Sequence, residues 1–170
     1  MSHQLRVERL DAFHNLSDFD SGNDEIDTWL RRHALAAQRM DTSRTFVLTE
    51  EDREGLVGFF SLTMRSMERE QAPAKLVRGL PDYPVGMVLL TRLAVDRREQ
   101  GTGVGGSLLL QAMTRACAAG ESVAARLIMV EATDEAAAGF YGHFGFVPAP
   151  EHPFNLYRRM KDVSADLGLS

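Results

Sequence analysis

Residues 87–109 read "MVLLTRLAVDRREQGTGVGGSLL" and place a glycine-rich turn between two apolar segments. The first segment, residues 86–95, is almost continuously apolar, which is typical of a strand buried on both faces of a sheet. The second segment begins at residue 103 and carries apolar side chains at helical spacing, namely Leu108, Leu109, Ala112, Met113 and Ala116. The pattern predicts a buried strand, a turn, and then a helix that packs along one face.

The turn itself holds four closely spaced glycines, Gly101, Gly103, Gly105 and Gly106. Without side chains, successive backbone N–H groups can converge on an anion, and the positive end of the following helix favours that anion further. Arg97 and Arg98 add positive charge, so the turn is typical of a pyrophosphate-binding site. Three of the glycines also match the dinucleotide fingerprint, but "DRREQ" separates them from the strand and repeated βαβ units are missing. A plain turn whose glycines only allow close packing is the alternative.

The rest of the chain alternates between strand and helix patterns. Strands are predicted at 4–10, 43–50, 55–67, 86–95, 125–132 and 155–161, and helices at 19–40, 103–120 and 133–145. Ser21 or Asn23 is predicted to cap the first helix, and Thr133 the last. The order predicts an α/β or α+β fold, with a mixed sheet and helices packed on it. A single domain over residues 1–170 is expected at this length.

Composition limits the class of protein. The formal net charge is −5, whereas a nucleic-acid-binding protein is normally basic. Cys117 is the single cysteine, so the sequence predicts no disulfide framework and favours a reducing compartment. Because neither a signal peptide nor a membrane span is recognisable, we expect a soluble, cytoplasmic protein without a membrane partner. The histidines lack metal-ligand spacing, and no metal is predicted.

Two motifs resemble those of the GNAT family of N-acetyltransferases. "LAVDRREQGTGVGG", residues 93–106, resembles the family's acyl-coenzyme-A motif, [QR]-x-x-G-x-[GA] after a strand that ends in an LAV-like stretch. "EATDEAAAGFYGHFGF", residues 131–146, resembles the family's later helix, which ends in F-Y-x-x-x-G-F. The resemblance covers residues 5–161. It implies the GNAT fold, a mixed and mostly antiparallel sheet with a splayed strand pair at the cofactor and helices on both faces, and acetyl-CoA as the acyl donor.

The same resemblance implies roles for particular residues. Tyr141 would protonate the leaving thiolate, and the main-chain N–H of Val95 would donate to the developing oxyanion. The residues implied to hold coenzyme A are Leu93, Ala94, Val95, Arg97, Arg98, Gln100, Gly101, Thr102, Gly103, Val104, Gly105 and Tyr141. A core tyrosine with a satisfied hydroxyl is the alternative interpretation of Tyr141. The general base stays open between Glu131, Asp134 and water.

A narrower resemblance, to the acetyltransferase toxins of bacterial toxin–antitoxin pairs, begins in the N-terminal half. It rests on "FDSG" at 19–22, "DTWL" at 27–30, "SRTFV" at 43–47, "GFFSL" at 58–62 and "RLAVD" at 92–96. Such toxins acetylate the α-amino group of the amino acid on charged tRNA. The resemblance therefore implies aminoacyl-tRNA as the acceptor, with Arg92, Arg44 and Glu131 as substrate-binding residues. It also implies a neutralising antitoxin, often with a ribbon-helix-helix part, and a homodimer.

Two features of the chain leave other functions open. The chain is acidic overall, and Thr102 stands where these toxins often carry a lysine near the phosphates. One alternative keeps the chemistry and changes the acceptor to a small-molecule or protein amine. A second alternative is a catalytically weak module that binds coenzyme A.

Overall fold

The computed structural model describes residues 4–169. The strands are β1 Leu5–Arg9, β2 Arg44–Glu50, β3 Gly58–Met67, β4 Val85–Val95, β5 Leu127–Glu131, β6 Val147–Pro148 and β7 Asn155–Arg159. The α-helices are α1 Asp24–Arg32, α2 Ala34–Arg39, α3 Ala74–Val77, α4 Val104–Ser122, α5 Glu135–His143 and α6 Met160–Asp166. Short 3-10 helices cover Arg69–Gln71 and Arg97–Glu99. Within residues 4–169, no helix is long and apolar enough to cross a membrane.

The strands form one mixed sheet in the order β1-β2-β3-β4-β5-β7-β6. The pairs β1–β2, β2–β3, β5–β7 and β6–β7 are antiparallel. By contrast, β4 and β5 run parallel, with Met87 opposite Leu127 and Leu90 opposite Val130. The sheet is therefore mostly antiparallel, and the predicted mixed α/β class is confirmed.

The chain divides into two compact units. The first holds the chain up to Thr63 together with Thr91–Ala112, and the second holds Met64–Leu90 together with the chain from Met113 onward. The core of the first unit comprises Leu10, Phe19, Leu30, Ala34, Val47, Leu56, Phe59 and Ala94. The core of the second unit comprises Ala72, Leu76, Val77, Val85, Met87, Leu89, Leu127, Met129, Ala149 and Tyr157. Burial of these apolar side chains supplies the main driving force for folding in each unit.

The helix predicted from the opening motif is confirmed as α4. Its predicted inner face, Leu108, Leu109, Ala112, Met113 and Ala116, is buried throughout. The strand predicted before the turn is confirmed as β4, which is buried over most of its length.

The helix predicted over residues 19–40 is instead two helices, α1 and α2. Asn23 caps α1, because its side chain accepts hydrogen bonds from the N–H groups of Glu25 and Ile26. The chain leaves helical geometry at His33, whose φ of −123° ends α1 and precedes α2. The alternative cap, Ser21, is wrong, since its hydroxyl lies 2.6 Å from a carboxylate oxygen of Asp27.

The cap predicted for the last helix motif is also wrong. Asp134, and not Thr133, caps α5, and its carboxylate accepts a hydrogen bond from the N–H of Ala137 at 2.8 Å. The short elements β6 and α6 were not predicted. The strand pattern at 155–161 ends early, at Arg159, and Met160 begins α6, while residues 147 and 148 form the short β6.

Gly58 marks a close approach of two strands in the first unit. A Cβ at this position would lie 2.9 Å from the carbonyl oxygen of Ala94 and 3.1 Å from a methyl carbon of Leu108. Because a backbone carbonyl cannot move aside, we expect Gly58→Ala to lower the free energy of unfolding by about 1–3 kcal/mol. Thermal denaturation measures this. Gly86→Ala is the matched control, since its Cβ would lie at an ordinary 3.6 Å from the Ala124 carbonyl, and an equal loss in both variants would contradict the account.

Candidate active site

The glycine turn presents open backbone at the start of α4. Gly101 and Gly103 have φ of +81° and +88°, a region that favours glycine, and a Cβ at either would meet no heavy atom within 4 Å. The Gly103 carbonyl accepts the N–H of Ser107 at 3.2 Å, so the helical hydrogen bonds begin here. By helix geometry, the N–H groups of the first turn have no acceptor within the helix. Backbone donors and open space fit a pyrophosphate, as the motif predicts.

The arginine of the R-x-x-G-x-G motif lies against a buried carboxylate. Asp96 is 1% exposed and accepts hydrogen bonds from the main-chain N–H and Nε of Arg98, at 3.0 and 2.9 Å. Burial alone would raise the pKa of Asp96, but the hydrogen bonds from Arg98 and Asp20, with the charge of Arg98, hold it below its ordinary value. The Arg98 side chain is 58% exposed, so its guanidinium borders solvent while it is bound to Asp96.

The other polar side chains of the turn make contacts within the protein. Arg97 Nε lies 3.2 Å from a carboxylate oxygen of Asp20. The Gln100 amide donates to the carbonyl oxygens of Ser21 and Val95, both at 2.8 Å. The Thr102 hydroxyl donates to the carbonyl of Glu99. The side chains of Arg97, Gln100 and Thr102 are exposed but have partners within the protein, and the backbone at Gly101 and Gly103 borders open space.

The end of β4 carries the predicted pantetheine contacts. Ala94 and Val95 are buried, and Leu93 is half-buried. Beyond Val95, the N–H of Asp96 donates to the Val57 carbonyl at 2.9 Å, which fixes the exit of the strand.

Two predicted acceptor-binding arginines lie in the first unit. The guanidinium carbon of Arg92 lies 3.8 Å from the centre of the Trp29 ring, and Trp29 stacks on Phe59 at 6.4 Å between ring centres. Such a cation–π contact attracts the guanidinium to the face of the ring. Arg44 lies 2.9 Å from a carboxylate oxygen of Asp41 and is about one-third exposed.

Tyr141 lies in α5, in the second unit, and is 6% exposed. Its ring meets those of Phe140 and Phe146 edge-on, at 5.3 and 5.9 Å between ring centres. Burial raises the pKa of Tyr141 to about 12, because the phenolate would lose its hydration. The hydroxyl is therefore a neutral donor at physiological pH. His143, two residues on, is exposed.

The two carboxylates considered as bases, also in the second unit, both have partners. Glu131 is about half-exposed and lies 2.8 Å from Arg65. Asp134 is occupied as the cap of α5. Glu131 thus forms a half-exposed ion pair, whereas the Asp134 carboxylate is used at the N-terminus of α5.

The turn at Asp20–Gly22, for which the sequence predicted no role, lies directly against Arg97 and Gln100. The signal was present, because "FDSG" was one of the matched motifs, but a motif does not reveal which segment it contacts.

Comparisons with known proteins extend these observations. A family model described as an acetyltransferase (GNAT) domain matches residues 41–148. The tRNA-acetylating toxin of Mycobacterium tuberculosis is 39% identical over 168 residues, which cover 99% of both chains. The structure of AtaT complexed with acetyl-methionyl-tRNAfMet covers 95% of this chain and 98% of its own, with a TM-score of 0.88 and 29% identity. A variant of the AtaT toxin, bound to the C-terminus of the antitoxin AtaR and acetyl-CoA, covers 97% and 99%, with a TM-score of 0.81 and 29% identity.

Proposed function

Because the chain belongs to the GNAT family of acetyltransferases, we propose that it transfers the acetyl group of acetyl-CoA to the α-amino group of an aminoacyl-tRNA. The observation that carries the proposal is the 39% identity to a tRNA-acetylating toxin. That similarity spans 99% of the chain, whereas the family model matches residues 41–148, so it includes segments outside the acetyltransferase match.

The donor binds through the segment from Leu93 to Gly105. Main-chain groups of Leu93 and Val95 pair with the pantetheine arm, and the N–H groups from Gly101 to Gly105 bind the pyrophosphate. The open space above Gly101 and Gly103 supports this assignment. The Arg97 and Arg98 side chains, both more than half exposed, contribute positive charge beside the anion.

The reaction is a direct transfer. The amine nitrogen forms a bond to the thioester carbon, the carbon–sulfur bond breaks, and the sulfur leaves with the electron pair. The N–H of Val95 stabilises the charge that develops on the carbonyl oxygen. Tyr141 donates its hydroxyl proton to the departing sulfur. The proton released by the amine passes to water, and a proton from the solvent restores the phenol of Tyr141.

The acceptor is held by arginine side chains. Arg92, which lies over the face of Trp29, and Arg44 bind phosphate groups near the charged end of the tRNA. The net charge of −5 means that this binding depends on a local group of arginines rather than on the charge of the whole chain. Glu131 takes part in acceptor binding only through its ion pair with Arg65.

The proposed function also includes the oligomeric state of the protein and its protein partner. A homodimer acts in the cytoplasm, where charged tRNA is found, and an antitoxin with a ribbon-helix-helix part neutralises it. The structure of AtaT bound to the C-terminus of the antitoxin AtaR supports the idea of a protein partner.

The proposal is tested with radiolabelled acetyl-CoA and bulk charged tRNA, with uncharged tRNA as the matched control. We expect label on the charged tRNA alone, and its loss when the aminoacyl ester is hydrolysed. Label on small amines or peptides, with none on charged tRNA, would show that the acceptor is a small-molecule or protein amine and not aminoacyl-tRNA. Binding of acetyl-CoA without transfer to any acceptor would indicate that the protein is a coenzyme-A-binding module.

A further inference from the structure

The turn Asp20–Gly22 is joined to the segment Asp96–Gln100 by a dense set of contacts, all within the first unit. The N–H of Arg97 donates to the Asp20 carbonyl at 2.8 Å, and the N–H of Asp20 donates to the Asp96 carboxylate at 3.3 Å. Arg97 Nε lies 3.2 Å from the Asp20 carboxylate. One main-chain bond, one bond from a main-chain N–H to a carboxylate and one ion pair thus fix Asp96 and Arg97 to a loop 76 residues earlier in the chain.

Gln100 extends this connection to the strand end. Its side-chain nitrogen donates to the carbonyl of Ser21 and to the carbonyl of Val95, so one amide group links the turn to β4 immediately before the glycines. Val95 is the residue whose N–H is assigned to the developing oxyanion. The position of this side chain therefore sets both the start of the pyrophosphate-binding backbone and the end of the strand beside the thioester.

The turn is itself anchored to α1. The buried carboxylate of Asp27, 3% exposed, accepts the N–H of Ser21 at 3.0 Å and the Ser21 hydroxyl at 2.6 Å. Gly22 adopts a φ of +90°, and a Cβ there would lie 3.3 Å from Arg97 Nε, so a larger residue would press on the contact with the donor-binding segment. The contacts between Ser21 and Asp27 fix the turn to α1, and Gly22 fits closely against Arg97. Both features are expected of a segment that positions a binding site.

We propose that Gln100 is a positioning residue, which acts through the Asp20–Gly22 turn to hold the backbone from Val95 to Gly103 in the geometry that binds coenzyme A. The proposal deepens the proposed function, since it rests on this segment being the donor site. It reassigns Gln100, predicted from resemblance as a coenzyme-A contact, to a role within the protein. It also gives the motif at 19–22 a function, as a support for the donor site rather than part of the acceptor site.

The test measures the Kd for coenzyme A by calorimetry, which needs no acceptor. Gln100→Met removes both donated hydrogen bonds at nearly constant shape and without adding charge. We expect the Kd to rise about tenfold, which is about 1.4 kcal/mol, while the thermal midpoint falls by no more than a few degrees. Gln4→Met, the same change at an exposed position, is the control and is expected to leave the Kd unchanged.

A double-mutant cycle separates positioning from direct contact. Ser21→Ala removes the hydroxyl bond to Asp27 and is expected to raise the Kd about threefold. If Gln100 acts through the turn, the double variant resembles Gln100→Met alone. Fully additive losses, about thirtyfold together, would show that Gln100 and the turn act independently and would overturn the proposal. An unchanged Kd with a lowered thermal midpoint would also overturn it, because the contacts would then be structural only.

The outcomes distinguish this inference from the proposed function. If the wild-type protein binds no coenzyme A, the proposed function fails, and this inference fails with it. If the wild-type protein, Gln100→Met and Ser21→Ala all bind coenzyme A equally well, only the positioning role of Gln100 fails.

Discussion

Replacement of Tyr141 by phenylalanine is expected to lower kcat for acetyl transfer by about a hundredfold to a thousandfold, within the range of general acid catalysis. The change removes one oxygen atom from a side chain that is 6% exposed and packed between Phe140 and Phe146. Because the ring and its contacts are kept, the Kd for coenzyme A is expected to stay within about threefold. Single-turnover rates with saturating acetyl-CoA measure the effect on the chemical step.

Phe140→Leu is the control for this variant, since it disturbs the same aromatic group without touching the hydroxyl. We expect it to change kcat far less than Tyr141→Phe. A Tyr141→Phe protein with undiminished kcat would remove Tyr141 from the mechanism and leave the alternative of a core tyrosine.

The raised pKa of Tyr141 predicts how alkaline pH affects the folded protein. The pKa rises to about 12 from an ordinary value of about 10, so the folded state favours the neutral phenol. The stability that follows is present below about pH 10 and is lost as the pH rises through 12. We expect the free energy of unfolding of the wild-type protein to fall more steeply than that of Tyr141→Phe between these limits. Parallel curves from denaturant titrations at each pH would contradict the assignment.

Gly103→Ala is expected to raise the Kd for coenzyme A at least about tenfold. Two effects add, since the φ of +88° disfavours any side chain by about 1–2 kcal/mol, and the new Cβ occupies the open space assigned to the pyrophosphate. The first effect appears as a lower thermal midpoint, and the second appears only in the affinity. Thermal denaturation of the protein measures the first effect, and calorimetry with coenzyme A measures the second.

Gly79→Ala is a close control for this substitution. Its φ is +82°, and a Cβ there also meets nothing within 4 Å, so the backbone strain is similar. Gly79 lies in the loop after α3, outside the donor-binding segment. We expect both variants to lose similar stability, and only Gly103→Ala to lose affinity. Equal affinities for coenzyme A in the two variants would show that the pyrophosphate does not bind at Gly103.

The strand, the turn and the helix from 85 to 122 could be predicted from sequence because each has a local cause. Apolar continuity indicates a buried strand, helical spacing indicates α4, and closely spaced glycines indicate open backbone. The interruption at His33 has no such signature, so the pattern at 19–40 predicts one helix where there are two. Thr133 and Asp134 are both good caps in adjacent positions, and composition alone does not choose between them.

The side-chain pairs of the site could not be predicted, because each depends on a tertiary contact. Arg92 lies over the face of Trp29, which the sequence places in a distant segment. Arg98 and Asp96 are two residues apart, but only burial of the carboxylate makes their pairing strong. The contact between Gln100 and Ser21 joins positions 79 residues apart, beyond the reach of any local pattern.

The central claim, acetylation of the α-amino group of an aminoacyl-tRNA, is tested most directly by identifying the acetylated atom. Charged tRNA treated with the protein and acetyl-CoA is digested with ribonuclease, and the terminal aminoacyl-adenosine is analysed by mass spectrometry with fragmentation. We expect a fragment with one added acetyl group on the amino nitrogen of the amino acid. An acetyl group on a nucleobase or ribose, or an unmodified aminoacyl-adenosine alongside acetylated protein or small amines, would contradict it.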